Sequence, residues 1–293
     1  MRRAGVSRGR AARWLAPAGA AACLLCCGMA AAVELPLWEA GAGVTGLVLP
    51  DYRGSDQSRG YAYPVPYVIY RGERFRVDRD RIREMLFNND RLELEFSANG
   101  NVPVKSSRSD TRAGMADLDP VGEVGPALKY TVFRTSEPRS ELTLRLPARA
   151  AFAVATNLSH ARFIGWVFQP GIGMDWYDLQ IAGSSGWNAG IVATWQANTR
   201  HYDSYYYGVA PSDAAAGRAA YEAPGGAAGE QLTLTMSKRF SRFWLGAFVR
   251  YDSLRGARFN DSPLVRTHQN VLGGFAVAWV FGKSERMVDV PGP

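Results

Sequence analysis

The chain carries three histidines, His160, His201 and His268, and two of them have neighbours with which they could do chemistry. Ser159 precedes His160, while Asp203 and Ser204 follow His201. A hydroxyl beside an imidazole, with a carboxylate to orient the ring, is the set a barrel lipase would use for acyl transfer. Such a triad needs nucleophile, base and orienter to converge in space. Nothing in these spacings makes them converge, so all three histidines read as solvated loop or strand-end residues. The acids of DYRGSD (Asp51 to Asp56) and DLDP (Asp117 to Pro120) could hold a cation or a partner. Asp, Gly and Pro are equally the standard turn formers, and turn chemistry explains both loops. The tyrosine run Tyr205 to Tyr207 reads as part of an interfacial girdle, with an interaction surface as the other reading. No HExxH pattern, phosphate-cradling glycine loop or metal-spaced carboxylate set is present. No catalytic residue, cofactor site or metal site is therefore assigned.

The elements that must position these residues begin after a leader. Arg2, Arg3, Arg8, Arg10 and Arg13 precede a short apolar run, Leu15 to Ala31, and Ala30 and Ala32 fit the A-x-A cleavage pattern. Residues 1–32 thus read as a secretory signal peptide, with Val33 as the mature N-terminus. All three cysteines, Cys23, Cys26 and Cys27, fall inside it, which leaves no disulfide framework and no thiol chemistry. The full chain has 34 basic and 27 acidic residues, and removing the five arginines leaves 29 against 27. The basicity belongs to the leader, so a nucleic-acid partner is not expected.

Beyond the leader the chain reads as alternating strands of about ten residues. Leu92, Leu94, Phe96 and Ala98 alternate with Glu93, Glu95, Ser97 and Asn99. Trp166, Phe168, Ile172, Met174 and Trp176 oppose Gln169, Gly171, Gly173 and Asp175. In the last strand, Gln269 to Phe281, Val271, Phe275, Val277, Trp279 and Phe281 oppose Leu272, Gly274, Ala276, Ala278 and Val280. The polar faces carry charges of both signs, including Glu123, Lys129, Arg145, Arg149, Arg239 and Arg250. Trp166 and Trp176 lie about 33 Å apart along a strand at roughly 3.3 Å per residue. Tilted by about 40°, that distance spans roughly 25 Å, the height of an outer-membrane apolar band. Turns alternate short and long.

These features predict an all-β fold, a transmembrane antiparallel up-and-down β-barrel occupying residues 33–281, with a periplasmic tail over 282–293. A soluble sandwich also alternates, but it explains poorly so many long strands with uncharged outer faces. Tyr61 to Val77 keeps its apolar residues in odd positions, which reads as one long strand bulged at Gly72, followed by a polar turn from Arg79 to Asn89. That gives about ten strands and both termini on the periplasmic side; a hairpin near Tyr70 to Glu73 would require twelve.

The segments LPDYRGSD (Leu49 to Asp56), YPVPYVIYRGERF (Tyr63 to Phe75), MADLDPVGEVGP (Met115 to Pro126), DSYYYGV (Asp203 to Val209) and AWVFGKSER (Ala278 to Arg286) resemble the MipA/OmpV family of outer-membrane proteins. The resemblance implies a bacterial outer-membrane barrel. For the family's namesake it also implies a non-enzymatic scaffold joining the murein hydrolase MltA, a lytic transglycosylase, to a penicillin-binding protein. Such contacts would use periplasmic turns, with DRDRIRE (Asp78 to Glu84) as the leading candidate, and the tail. A narrow channel is the alternative, followed by a loop-borne activity such as adhesion or lipid hydrolysis.

Overall fold

The computed structural model describes residues 33–71, 75–78, 81–84 and 91–290. The leader, Gly72 and most of the turn from Arg79 to Asn89 lie outside the described residues. The chain opens with β1 (Val33–Pro36), β2 (Trp38–Pro50) and β3 (Ser58–Arg71), then two short strands, β4 (Phe75–Asp78) and β5 (Arg81–Glu84). β6 (Leu92–Asn101), β7 (Val121–Ser136) and β8 (Arg139–Val154) follow, then β9 (Ala161–Phe168), β10 (Gly171–Ile181) and β11 (Ser184–Asn198). A helix, α1 (Arg200–Tyr207), precedes β12 (Gly226–Arg239), β13 (Phe243–Ser253), β14 (Gln269–Lys283) and β15 (Met287–Val290).

Thirteen of these strands form one antiparallel sheet that closes on itself. Apart from β9 and β10, each pairs with the next in sequence, and β14 returns to β2 through Gly273↔Val48 to Lys283↔Glu39. Closure of the sheet lets backbone groups pair between strands, the condition for a sheet to cross lipid. β9 and β10 are two halves of one stave, because both pair with β8 and with β11. The break falls at Gln169–Pro170, where proline has no N–H to donate. Counting them as one leaves a wall of twelve staves among the described residues.

Of the ten long strands expected from the alternation, eight are present as read, and the one from Phe163 to Tyr177 is broken into β9 and β10. The single strand through Gly72 is corrected: β3 and β4 form a hairpin, with Tyr70↔Val77 and Arg71↔Arg76 in register. A further strand, β5, lies within the stretch read as a polar turn. This register pairs even with odd positions, which a single strand with one alternation phase does not allow for. Among the described residues β5 pairs with β6 at Ile82↔Phe96.

The outer face is apolar. Val44, Leu146, Trp166, Phe168, Trp195, Leu234, Phe275, Val277 and Trp279 are all exposed. Trp166 faces Ala150 and Trp176 faces Ser140 of β8, so the ten-residue girdle spacing is conserved across the break. No described helix is long and apolar enough to cross a membrane. At the turn end of the barrel, β1 and β15 pair as a separate two-stranded sheet, Val33↔Val290 to Pro36↔Met287. Leu37 N donates to Arg286 O at 2.8 Å, and Arg71 Nη1 donates to Pro36 O at 2.7 Å, tying this sheet to the rim.

Candidate functional site

The inward positions of the staves carry the charges, and these pair across the lumen in tiers. At the turn end, Glu39 accepts from Arg71 at 2.7 Å and from Arg239 at 2.9 Å. Tyr67, Ile69 and Ala278 pack beside it with Trp244 and Val280. In the middle tier Lys129 contacts Glu141 at 2.9 Å and Glu93 at 3.5 Å. Nearer the long loops Arg149 Nε donates to Glu123 Oε2 at 2.9 Å. A buried charge costs several kcal/mol unless paired, and these tiers supply the pairs within the wall itself.

The long loops close the mouth. Tyr52, Val104, Leu118, Ile164, Tyr202, Tyr206, Tyr207, Leu254, Phe259 and Leu264 form a buried apolar core above the polar lumen. Tyr207 stacks on Phe259 with ring centres 3.8 Å apart, and its hydroxyl donates to Arg53 O at 2.9 Å. α1 lies within this cap. It can seat against β9 because Gly165 has φ +131° and no side chain; a Cβ there would lie 2.4 Å from Thr199 Oγ1. The tyrosine run is therefore corrected from girdle to plug: Tyr206 and Tyr207 are buried in the cap, and Tyr205 bonds Asp119.

Beneath α1 a hydrogen-bond circuit crosses the lumen. Tyr202 donates to Glu123 Oε1 at 2.9 Å, Glu123 pairs with Arg149, and Arg149 reaches Gln169. Gln169 donates to Gln231 at 2.8 Å, Gln231 to Gln196 at 3.1 Å and Gln196 to Asn198 at 2.9 Å. Asn198 donates to Asp203 Oδ1 at 2.7 Å, which returns the circuit to α1. Asp203 is fully buried, and burial pushes its carboxyl up to about 7 against the Asn198 hydrogen bond and the Arg53 charge. Tyr202 is pushed well above its ordinary range, first by burial and then by the Glu123 charge. A cavity of about 230 Å³ opens beside the circuit, lined by Arg53, Asn99, Asn101, Gln196, Phe248 and Arg250 among others.

The sequence candidates for acyl transfer are not brought together. Ser159 Oγ lies 3.0 Å from His160 Nδ1 on an exposed turn. His201 packs edge-on to Phe163, while Asp203 points into the barrel towards Asn198. His268 uses its carbonyl oxygen to accept from Leu254 N. The DYRGSD acids serve the loop itself: Asp51 holds Arg59 at 2.7 Å. In DLDP, Asp117 Oδ1 accepts from Ser106 N at 2.7 Å and pairs with Lys105. The described residues contain no group of acids, histidines or cysteines arranged to hold a metal. Sequence reasoning missed Arg53, Gln196, Asn198, Gln231 and Asp252. The one available signal was the run of uncharged polar residues at inward positions near the long-loop ends of β11 and β12.

A family model described as "MltA-interacting protein MipA" matches residues 42–281. The chain belongs to the MipA family. With its closed, aromatic-faced barrel, this MipA-family chain is an outer-membrane β-barrel protein. No curated protein matches it. Among solved structures it is similar to one described as a bacterial polysaccharide outer membrane secretin, at 11% identity over 83% of this chain and 99% of that chain, with TM-score 0.39. It is also similar to the Pseudomonas putida toluene transporter TodX, at 10% identity over 83% and 67% of the two chains, TM-score 0.24. The Ralstonia pickettii toluene transporter TbuX matches at 11% identity over 85% and 70%, TM-score 0.25.

Proposed function

We propose that this MipA-family barrel is a non-enzymatic scaffold that holds a periplasmic lytic transglycosylase, and through it a penicillin-binding protein, at the outer membrane. In this reading residues 1–32 are removed as a signal peptide. The family's own description supplies the transglycosylase. The observation that supports the reading is the β1–β15 sheet, which brings both ends of the described chain into one ordered element at the short-turn rim, the rim this reading assigns to the periplasm. The short turns around Ser136–Arg139, Ile181–Ser184 and Arg239–Phe243 extend the same surface. Deletion of residues 284–293 tests it. In intact cells, crosslinking should recover the transglycosylase with the full-length barrel and not with the shortened one. Equal recovery with both would remove the support.

A further inference from the structure

We propose that the cavity beneath the cap binds a small organic carboxylate with an apolar body. Two guanidiniums line it, Arg53 from the loop after β2 and Arg250 from β13. Arg53 Nε and Nη2 and Arg250 Nε are buried and donate no hydrogen bond among the described residues. One carboxylate, Asp252, lies beside both, 3.7 Å from Arg53 Nε and 3.1 Å from Arg250 Nε. Asp51 and Glu123, the other acids lining the cavity, are committed to Arg59 and Arg149. Asp203 stands behind Asn198, outside the lining. Within the lining, two cations therefore share one uncommitted counter-charge and leave buried donors unmet, a costly state that an arriving carboxylate relieves.

The opposite character is built into the adjoining wall. Leu47 and Leu49 of β2, Phe248 of β13 and Leu272 of β14 line the same cavity. Arg250 faces Leu272 across the ladder, and Phe248 faces Gly274, which in turn faces Leu47. A Cβ at Gly274 would lie 2.4 Å from Leu47 Cδ2, so the leucine fills the space the glycine leaves and completes the apolar surface. The charged end thus sits beside an apolar floor. A single excess positive charge suits a monocarboxylate better than a phosphate. At about 230 Å³ the space is smaller than the roughly 300–1,000 Å³ of drug-sized sites, which limits the ligand to a small one. Asn99 and Asn101 line the cavity while remaining exposed, which gives it an opening along β6. The assignment does not depend on the scaffold reading.

Titration calorimetry on the folded barrel in detergent tests it, with benzoate and hexanoate as probes and benzamide as the neutral control. Saturable binding of a carboxylate is expected, weakened roughly tenfold or more in Arg53→Gln, in Arg250→Gln and for benzamide. Leu49→Trp, which keeps both charges and fills the floor, should remove binding. Heat-modifiable gel mobility confirms that each variant is folded; if an arginine variant is not, Leu49→Trp decides alone. The proposal falls if neither carboxylate binds the folded wild-type barrel, or if either binds a folded Arg250→Gln or Leu49→Trp variant as tightly.

Discussion

Tyr202 of α1 donates its hydroxyl hydrogen to Oε1 of Glu123 at 2.9 Å, fastening the cap to the barrel wall at a point where Arg149 already holds the other carboxylate oxygen. The bond is buried and charge-assisted, the kind worth about 1.5–3 kcal/mol. Tyr202→Phe keeps the ring contacts with Tyr206 and removes this bond. Because Arg149 still compensates Glu123, the barrel itself should keep its heat-modifiable mobility. Amide exchange should speed up across α1 and stay unchanged in β7, a contrast that mass spectrometry resolves.

Gly165 is the point of closest approach between α1 and the wall. Its φ of +131° excludes side chains, and an added Cβ would also lie 2.8 Å from Tyr202 N. Gly165→Val should therefore unseat the helix at a cost of about 1–3 kcal/mol from the backbone alone. Trypsin should then cut after Arg200 faster than in the parent barrel, while cleavage in the β7–β8 turn keeps its rate.

The wall was legible in the sequence and the cap was not, for a physical reason. A strand of ten or more residues with one face in lipid repeats its pattern often enough to be read. Trp166, Trp176 and the outward residues of β14 stand where alternation put them. Strands of four residues, such as β4 and β5, carry too little pattern to read, and their charges mimic a turn. The cap depends on contacts far apart in sequence: Tyr207 meets Arg53 and Phe259, and Arg112 reaches Tyr206 O. A tyrosine has an apolar ring and a polar tip, so its type fits a lipid girdle and a hydrogen-bonded plug equally. An eight-residue helix such as α1 is too short to be stable by propensity, so packing against Gly165 and the cap core forms it.

Asp203 makes the cap sensitive to pH, and the sign follows from burial. Its carboxyl rises from 3.8 to about 7 on folding. The proton is bound more tightly in the docked state, so this contribution to stability is complete below about pH 4 and is lost as pH rises towards 7. Above that it stays lost. Asp203→Asn removes the ionisation and can keep a hydrogen bond to Asn198. The variant should show no slope between pH 4 and 7 and a cap more stable at pH 8, by up to about 4 kcal/mol. Amide-exchange protection of α1 measured across that range checks both.

Val277 stands at the middle of the outward row of β14, facing Leu245 of β13 and Val44 of β2 at the seam where the barrel closes. It is 43% exposed with apolar neighbours on both sides, so in the bilayer its surroundings are acyl chains. An arginine at mid-membrane on the lipid face of a barrel costs about 2–4 kcal/mol. Val277→Arg should therefore slow or block assembly, read as loss of the heat-modifiable band. Ala276→Ser, one residue away on the inward face, should assemble normally, because its hydroxyl meets the lumen rather than lipid. If both variants assemble alike, the assignment of faces along β14 is wrong, and with it the assignment for the staves in register with it.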